Sequence, residues 1–212
     1  LPRQVYGHPW LLFGEDKMSK SKGNVIYADD LVNLFGVDAT RYYLLSEMPF
    51  ANDGSITYEA MIERFNSDLA NTLGNLVNRT IAMNNKYFDG IVQSPDVPCD
   101  IDEELKAFCF ETIKKVDKSI DSFHMSDAVE AVITLAKRCN KYIDETTPWA
   151  LAKNEEDKAR LGTVLYNLLE SIRYIAILLQ PFMPETAEAI FSQLNCDVKS
   201  YESLGTFGGL AV

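Results

Sequence analysis

Apolar residues recur along most of this chain at three- and four-residue steps, the spacing that one buried face of an α-helix requires. The clearest run begins at a capping residue, Thr57, and extends to about Phe88. Its apolar positions, which we expect to form one buried stripe, are Ile62, Phe65, Leu69, Leu73 and Leu76. Gly74 interrupts this run at a cost of about 1 kcal/mol relative to Ala, so we expect it to permit close packing. The chain is therefore predicted to be mainly α-helical.

Six further helices follow from the same criterion. Two short ones lie on either side of Gly36, and Pro49 closes the second. Beyond a proline-containing linker, long helices are predicted over residues 103–123, 127–145 and 157–179, and a short one over 185–194. The buried stripe of the second long helix is Val129, Val132, Ile133, Ala136 and Tyr142. The residues after 195 are expected to form an irregular tail.

The first 28 residues have a different character. Short β-prone runs over residues 4–6, 10–13 and 24–27 are broken by glycine and proline, which predicts strands and loops. Residues 51–55 are rich in turn formers and are expected to form a turn before the long helix.

Charge and cysteine content exclude several classes of protein. A net charge of -11 disfavours indiscriminate binding to nucleic acid but allows a local basic site. The four cysteines are widely spaced and there are only two histidines, so we expect reduced, mostly buried thiols and no metal site. The longest apolar run falls far short of the roughly 20 residues of a membrane span, so no membrane partner is expected. The chain starts without Met or a signal peptide, and we expect a cytoplasmic protein from which this piece is cut.

One short loop is locally basic in this otherwise acidic chain. The stretch DKMSKSKGN places three lysines among serine and glycine, whose small size lets backbone N–H groups approach an anion. A lysine-rich stretch is more often a solvated turn, and this one does not match the P-loop pattern. The sequence of the loop therefore leaves open a solvated turn and an anion-binding site.

Residues 17–21, Lys-Met-Ser-Lys-Ser, match the signature of class I aminoacyl-tRNA synthetases without deviation. With HPWLLFGEDKMSKSKGNVI, FGVDATRYYLLSEMPFANDG, NSDLANTLGNLVNRT, NKYFDG and ETTPWALAK, the chain resembles the methionyl-tRNA synthetases over about residues 5–195. The leucyl, valyl and isoleucyl enzymes share the lysine signature but continue differently. The resemblance implies the strand and loop end of a Rossmann-like catalytic domain over residues 1–50, an α-helical anticodon-binding bundle over 51–195, and an irregular tail over 196–212.

The resemblance also implies a chemistry. Methionine attacks the α-phosphate of ATP, which binds with Mg²⁺, and the terminal ribose of tRNA(Met) then takes the methionyl group. Lys17 and Lys20 are the implied catalytic residues, and Lys17, Ser19, Lys20 and Ser21 the ATP-binding ones. The family's paired-histidine signature is not present, so we expect the chain to be inactive alone. His8 is expected to be a structural residue in a strand.

A second candidate site lies on the long helix. Asn75 and Arg79 are four residues apart and project from the same side, although such a pair is also common on a solvent-facing helix. Trp149, directly after Pro148, is placed either to stack on an unstacked base or to plug the bundle core. The resemblance implies that Asn75, Arg79 and Trp149 read the CAU anticodon.

Two other functions stay open at this level. One is a related protein that keeps the bundle for RNA binding or assembly without ligase activity, and the other is a plain helical scaffold. The sequence also leaves open homodimerisation through a further C-terminal domain and zinc binding in a missing segment.

Overall fold

Three short strands near the N-terminus form a small sheet. The computed structural model describes residues 1–47 and 52–212, and its strands are β1 (Leu11–Phe13), β2 (Asp16–Lys17) and β3 (Gly54–Ile56). The order is β2-β1-β3, with β2 antiparallel and β3 parallel to β1. A parallel partner needs a long crossover, which two helices supply here.

Several predictions for this region are wrong. Residues 4–6 and 24–27 contain no strand, and part of the expected turn at 51–55 is the strand β3. A Cβ atom at Gly54 would lie 2.6 Å from the Glu47 carbonyl oxygen, so glycine is needed for that close approach, which a turn rule does not anticipate. Pro49 lies outside the described residues, and the domain boundaries near residues 50 and 195 stay a prediction.

Helices make up the rest of the architecture, as predicted. They are α1 (Ala28–Phe35), α2 (Val37–Glu47), α3 (Tyr58–Arg64), a π-helical segment (Phe65–Gly74), α4 (Asn75–Phe88), α5 (Asp100–Asp121), α6 (Met125–Thr146), α7 (Pro148–Leu151), α8 (Lys158–Leu179) and α9 (Pro184–Leu194), with 3₁₀ turns at Glu155–Asp157 and Tyr201–Gly205. The predicted long helices agree with these bounds to within three residues. The short helix α7 was not predicted.

The long run from α3 to α4 is continuous but is not one α-helix. The Thr57 hydroxyl accepts a hydrogen bond from the Ala60 amide at 3.1 Å, which confirms the cap. The π-helical segment shifts the buried face, so Ile62 is 49% exposed although the stripe predicted it to be buried. The close packing expected at Gly74 is also wrong, since this glycine is exposed.

The main core lies between α4, α5, α6, α8 and α9. All five positions of the predicted α6 stripe are fully buried, and α8 is buried along nearly its whole length. A smaller cluster beside the sheet contains Leu31, Tyr43, Ile56 and Met61. The cysteines are free thiols, three of them buried and Cys99 exposed.

One helical stretch, Glu155–Leu179, is long and apolar enough to cross a membrane. Its apolar window is 100% buried inside the bundle. The same length and composition are found in core helices, and here the neighbouring helices cover the segment.

A buried ion pair holds the tail against α8. Arg173 and Glu170 are both fully buried and joined at 2.6 Å. A Glu170 oxygen also accepts from the Gly208 and Gly209 amides at 2.9 and 2.8 Å, and Arg173 donates to Ser203 at 2.8 Å. The tail is irregular, as predicted, apart from one 3₁₀ turn, but it is fixed in place by charged hydrogen bonds.

Helix α2 joins the sheet region to the bundle. Arg41 donates to the carbonyl oxygens of Phe182 and Pro181 at 2.9 and 2.7 Å. The Asp38 carboxylate accepts from the Thr186 amide in the first turn of α9 at 2.6 Å, where an anion is favourable.

Candidate functional site

The lysine loop is a tight turn directly after β2. The Ser19 carbonyl accepts from the Lys22 and Gly23 amides, each at 3.1 Å, and Gly23 has a φ of 70°. The Asn24 side chain closes the loop, because it accepts from the Ser19 amide at 2.8 Å and donates to the Lys17 carbonyl at 3.3 Å. Asn24 therefore shapes the turn.

The three lysines of the loop have different surroundings. The Lys17 ammonium lies over the Trp10 ring, 5.2 Å from its centroid, and Lys22 pairs with Asp16 at 3.3 Å. Lys20 is exposed; its carbonyl accepts from the Gly23 amide at 3.3 Å, but within residues 1–47 and 52–212 its ammonium makes no hydrogen bond or ion pair. The hydroxyls of Ser19 and Ser21 lie 2.8 Å apart beside it. Among the three lysines of this loop, Lys20 is therefore the one whose charge contacts neither a carboxylate nor an aromatic ring within the described residues.

The other residue singled out near the loop, His8, does not lie in a strand, so that prediction is wrong. It is exposed, and a ring nitrogen lies 2.8 Å from the Pro9 carbonyl oxygen. In the described part of the chain, no group of three or more metal-ligating side chains comes together.

The second candidate site begins where α4 begins. Asn75 is half-buried at the first position of α4, and Arg79 follows one turn later. The Arg79 guanidinium lies 3.4 Å from the Asp144 carboxylate near the end of α6, and its side chain is 33% exposed. This long, exposed ion pair is weak and leaves the guanidinium accessible.

Trp149 follows Asp144 by five residues and lies on the short helix α7. Thr147 has a left-handed conformation that ends α6, and Pro148 starts α7 directly afterwards. Trp149 is 45% exposed, so it does not plug the core. The C-terminal end of α4 approaches the chain just after α7, because Tyr87 and Asn154 line one groove.

Other cations near this corner are mostly neutralised. Lys137 lies between Asp68 and Glu130, and Arg138 and Lys141 both pair with Glu145. The local excess of positive charge is therefore small. Within the described residues, no hydrogen bond or ion pair joins the lysine loop to Asn75, Arg79 or Trp149, so these are two separate sites.

Sequence reasoning missed the buried charged residues of the bundle, among them Asp102. This residue is fully buried and accepts from the Tyr142 hydroxyl at 2.6 Å, the Cys99 amide at 2.9 Å and Arg160 at 2.8 Å. The burial of Tyr142 in the predicted stripe was the available signal, because a buried phenol needs a hydrogen-bond partner.

Comparisons with known proteins agree on one family. Residues 1–81 match the family model described as tRNA synthetases class I (M), and residues 102–206 match the anticodon-binding domain of tRNA ligase. Methionine–tRNA ligases of Clostridium perfringens and Clostridium acetobutylicum are each 54% identical to the chain over 209 residues, 99% of its length.

A solved structure gives the same result. Mycobacterium tuberculosis methionyl-tRNA synthetase in complex with methionyl-adenylate superposes with a TM-score of 0.93 and 39% identity, over 100% of this chain and 43% of that one. The chain spans 32% of the two clostridial relatives, about a third of their length. Two family models that cover most of the chain, together with relatives and a structure that match nearly all of it, establish that the chain belongs to the methionyl-tRNA synthetase family.

Proposed function

We propose that this chain supplies two parts of a methionine–tRNA ligase, an ATP-contacting loop and an anticodon-binding helix face. The observation that carries the proposal is the unaltered Lys-Met-Ser-Lys-Ser loop, with an exposed and unpaired Lys20, in a chain 54% identical to named methionine–tRNA ligases. The complete polypeptide would attach methionine to tRNA(Met) with ATP, and this chain alone would be inactive.

The loop would act when methionine attacks the α-phosphate of ATP. Negative charge then builds on the departing pyrophosphate, and an ammonium group already placed there stabilises the transition state more than the bound substrate. Lys20 is the residue placed for this, because its charge has no carboxylate partner within the described residues. Lys17 would assist from the end of β2, and the hydroxyls of Ser19 and Ser21 would donate to phosphate oxygens. ATP would bring Mg²⁺ as its own counterion.

The helix face would act on the anticodon of tRNA(Met). Splayed bases stack on exposed aromatic rings, and Trp149 offers such a ring. The Asn75 amide has both a donor and an acceptor for a base edge, and Arg79 can reach a base or a phosphate once it leaves Asp144. The net charge of -11 would discourage binding elsewhere on the surface.

Anticodon recognition is tested with Trp149→Ala in the complete ligase. Stem-loops carrying CAU or a changed anticodon are titrated, and Trp10→Ala serves as the matched control, since Trp10 is the chain's other tryptophan and lies beside the lysine loop. Loss of one stacked base should weaken CAU binding about 5- to 140-fold. Equal affinity of the wild type for both stem-loops would refute the anticodon role.

The catalytic part is tested with Lys20→Ala, and Lys22→Ala is the control because Lys22 is already paired with Asp16. Methionine-dependent ATP–pyrophosphate exchange should fall by about 10²-fold or more for Lys20→Ala, as when a preorganised charge donor is removed from other active sites. The control should retain most of the activity. An undiminished exchange rate in Lys20→Ala would remove Lys20 from the mechanism.

A further inference from the structure

We propose that the π-helical segment Phe65–Gly74 sets the rotational position of Asn75 and Arg79, and that Asn140 and Gly74 hold that segment in register. The inference rests on the proposed anticodon role of Asn75 and Arg79. It adds two positioning residues that touch no RNA themselves.

The π-helical register ends at the candidate site itself. The Asn75 amide donates to the Ala70 carbonyl, five residues earlier, and also to the Thr72 carbonyl, three residues earlier, whereas an α-helical amide donates four residues back. Within the segment, the Thr72 hydroxyl donates to the Ser67 carbonyl, also five residues earlier, at 2.8 Å. Ten consecutive residues in this conformation are unusual, because the π-helix normally appears as a single turn.

The register determines which way the following residues face. Each α-helical residue turns the chain by about 100°, so removing one extra residue from the segment would rotate α4 by that angle relative to α3. Met61 before the segment and Leu76 after it are both fully buried, the first in the smaller cluster beside the sheet and the second in the main core. With Leu76 fixed in the core, Asn75 and Arg79 are held on the accessible side. A return to the α-helical register would either turn these two side chains or expose part of the core.

Asn140 of α6 is the first residue that holds the register. Its side-chain amide donates to the Thr72 carbonyl at 3.0 Å, inside the segment, and to the Ala136 carbonyl at 3.2 Å. Its own amide oxygen is buried and makes no hydrogen bond within the described part of the chain. An unpaired buried oxygen is unfavourable, so the stabilising contribution of this side chain is the hydrogen bond that its NH₂ group donates to the Thr72 carbonyl.

Gly74 is the second residue that holds the π-helical register. A Cβ atom there would lie 3.1 Å from the Leu69 carbonyl oxygen, again five residues earlier. Any larger residue would therefore press on a backbone carbonyl that belongs to the π-helical segment. This explains a glycine that is exposed and at which a Cβ atom would meet no other helix within 4 Å among the described residues.

At the start of the segment, Asp68 fixes the other end. It is buried, and it accepts from Tyr42 of α2 at 2.7 Å. Lys137 of α6 lies 3.9 Å from the same carboxylate, and Arg64 lies 3.6 Å away. The segment is thus held by α2 at one end and by Asn140 near the other, so loss of the Asn140 donor should release its C-terminal end first.

The test uses Asn140→Leu and Gly74→Ala in the complete ligase. Thr112→Val is the control for the first, because the Thr112 hydroxyl donates to the Phe108 carbonyl of its own helix. Gly205→Ala is the control for the second, since a Cβ atom there meets nothing within 4 Å. Crystal structures report the register, stem-loop titrations report CAU discrimination, and ATP–pyrophosphate exchange reports the loop.

Both variants should lose the bond between the Asn75 amide and the Ala70 carbonyl, and CAU discrimination should fall about 5- to 140-fold, the value of one base contact. Pyrophosphate exchange should not change, which a general loss of structure would not allow. The proposal is overturned if the variants keep the bond, or if they lose it and discriminate as the wild type does. If the wild type itself does not discriminate between CAU and a changed anticodon, the proposed function fails. The register proposal is then decided by comparing the positions of Asn75 and Arg79 in the crystal structures of wild type and variants. Gly74 is exposed, so its variant remains informative if Asn140→Leu does not fold.

Discussion

Asp102→Asn is the most direct test of how the bundle is held together. Asp102 is fully buried, and its carboxylate receives hydrogen bonds from Tyr142 of α6 and from Arg160 of α8. The substitution keeps the shape of the side chain but removes its charge. The Arg160 guanidinium, with only 17% of its side chain exposed, then loses its counterion.

Removing one partner of such a buried pair costs about 3–5 kcal/mol of unfolding free energy. For a chain of this size each kcal/mol shifts the melting temperature by about 2–4 °C, so a decrease of about 6–20 °C is expected. The neighbouring Glu103 provides the control, because it pairs with Lys106 while its side chain is 67% exposed. Glu103→Gln should cost no more than about 1 kcal/mol.

The effect should depend on pH. Burial alone would raise the pKa of Asp102, but the hydrogen bonds from Arg160 and Tyr142 outweigh burial and hold this pKa below its ordinary value. A lowered pKa in the folded state stabilises the fold above the unfolded pKa of about 3.9, and the stabilisation is lost as the pH falls through the folded pKa. The difference between wild type and variant, measured by denaturant unfolding, should therefore shrink below about pH 4. A melting temperature within 2 °C of that of Glu103→Gln, by the same conversion, would refute this account of the bundle.

Two further outcomes follow from buried groups elsewhere. Glu170→Gln leaves the buried Arg173 without its counterion and weakens the acceptor for the Gly208 and Gly209 amides. Limited proteolysis should therefore cut the tail faster than in the wild type. Equal cleavage rates would mean that the ion pair does not hold the tail. Burial raises the pKa of the Cys109 thiol to about 12. A thiol reagent at pH 8 should therefore modify the exposed Cys99 well before Cys109, which peptide mass spectrometry can measure. Equal labelling of the two cysteines in the native protein would contradict the burial of Cys109.

The helices could be predicted because their signals are local. The Thr57 cap, the left-handed end at Asp89 and the α6 stripe each depend on residues within a few positions of one another. Strand β3 could not be predicted in this way, because Gly54 pairs with a strand more than 40 residues earlier in the chain. The π-helical segment could not be predicted either, because its contacts with Tyr42 and Asn140 come from other helices.

The candidate site shows the same division. The lysine signature lies in five consecutive residues and was recognisable at once. The distinction among its lysines was not, because it depends on Trp10 beside Lys17 and on Asp16 beside Lys22. Exposure settled the position of Trp149, for which the sequence offered two opposite interpretations.

The contacts that Arg41 and Asp38 make with the corner between α8 and α9 join residues 140 to 148 positions apart. While the protein is being synthesised, helix α2 leaves the ribosome long before its partners exist. At the usual rate of about 5–20 residues per second, the wait is roughly 7–30 s. During that interval the Asp38 carboxylate has no α9 amide to donate a hydrogen bond to it, and α2 relies on its contacts with elements that precede α8, such as that of Tyr42 with Asp68. The join between α2 and the α8–α9 corner is thus completed only after Thr186 has been synthesised.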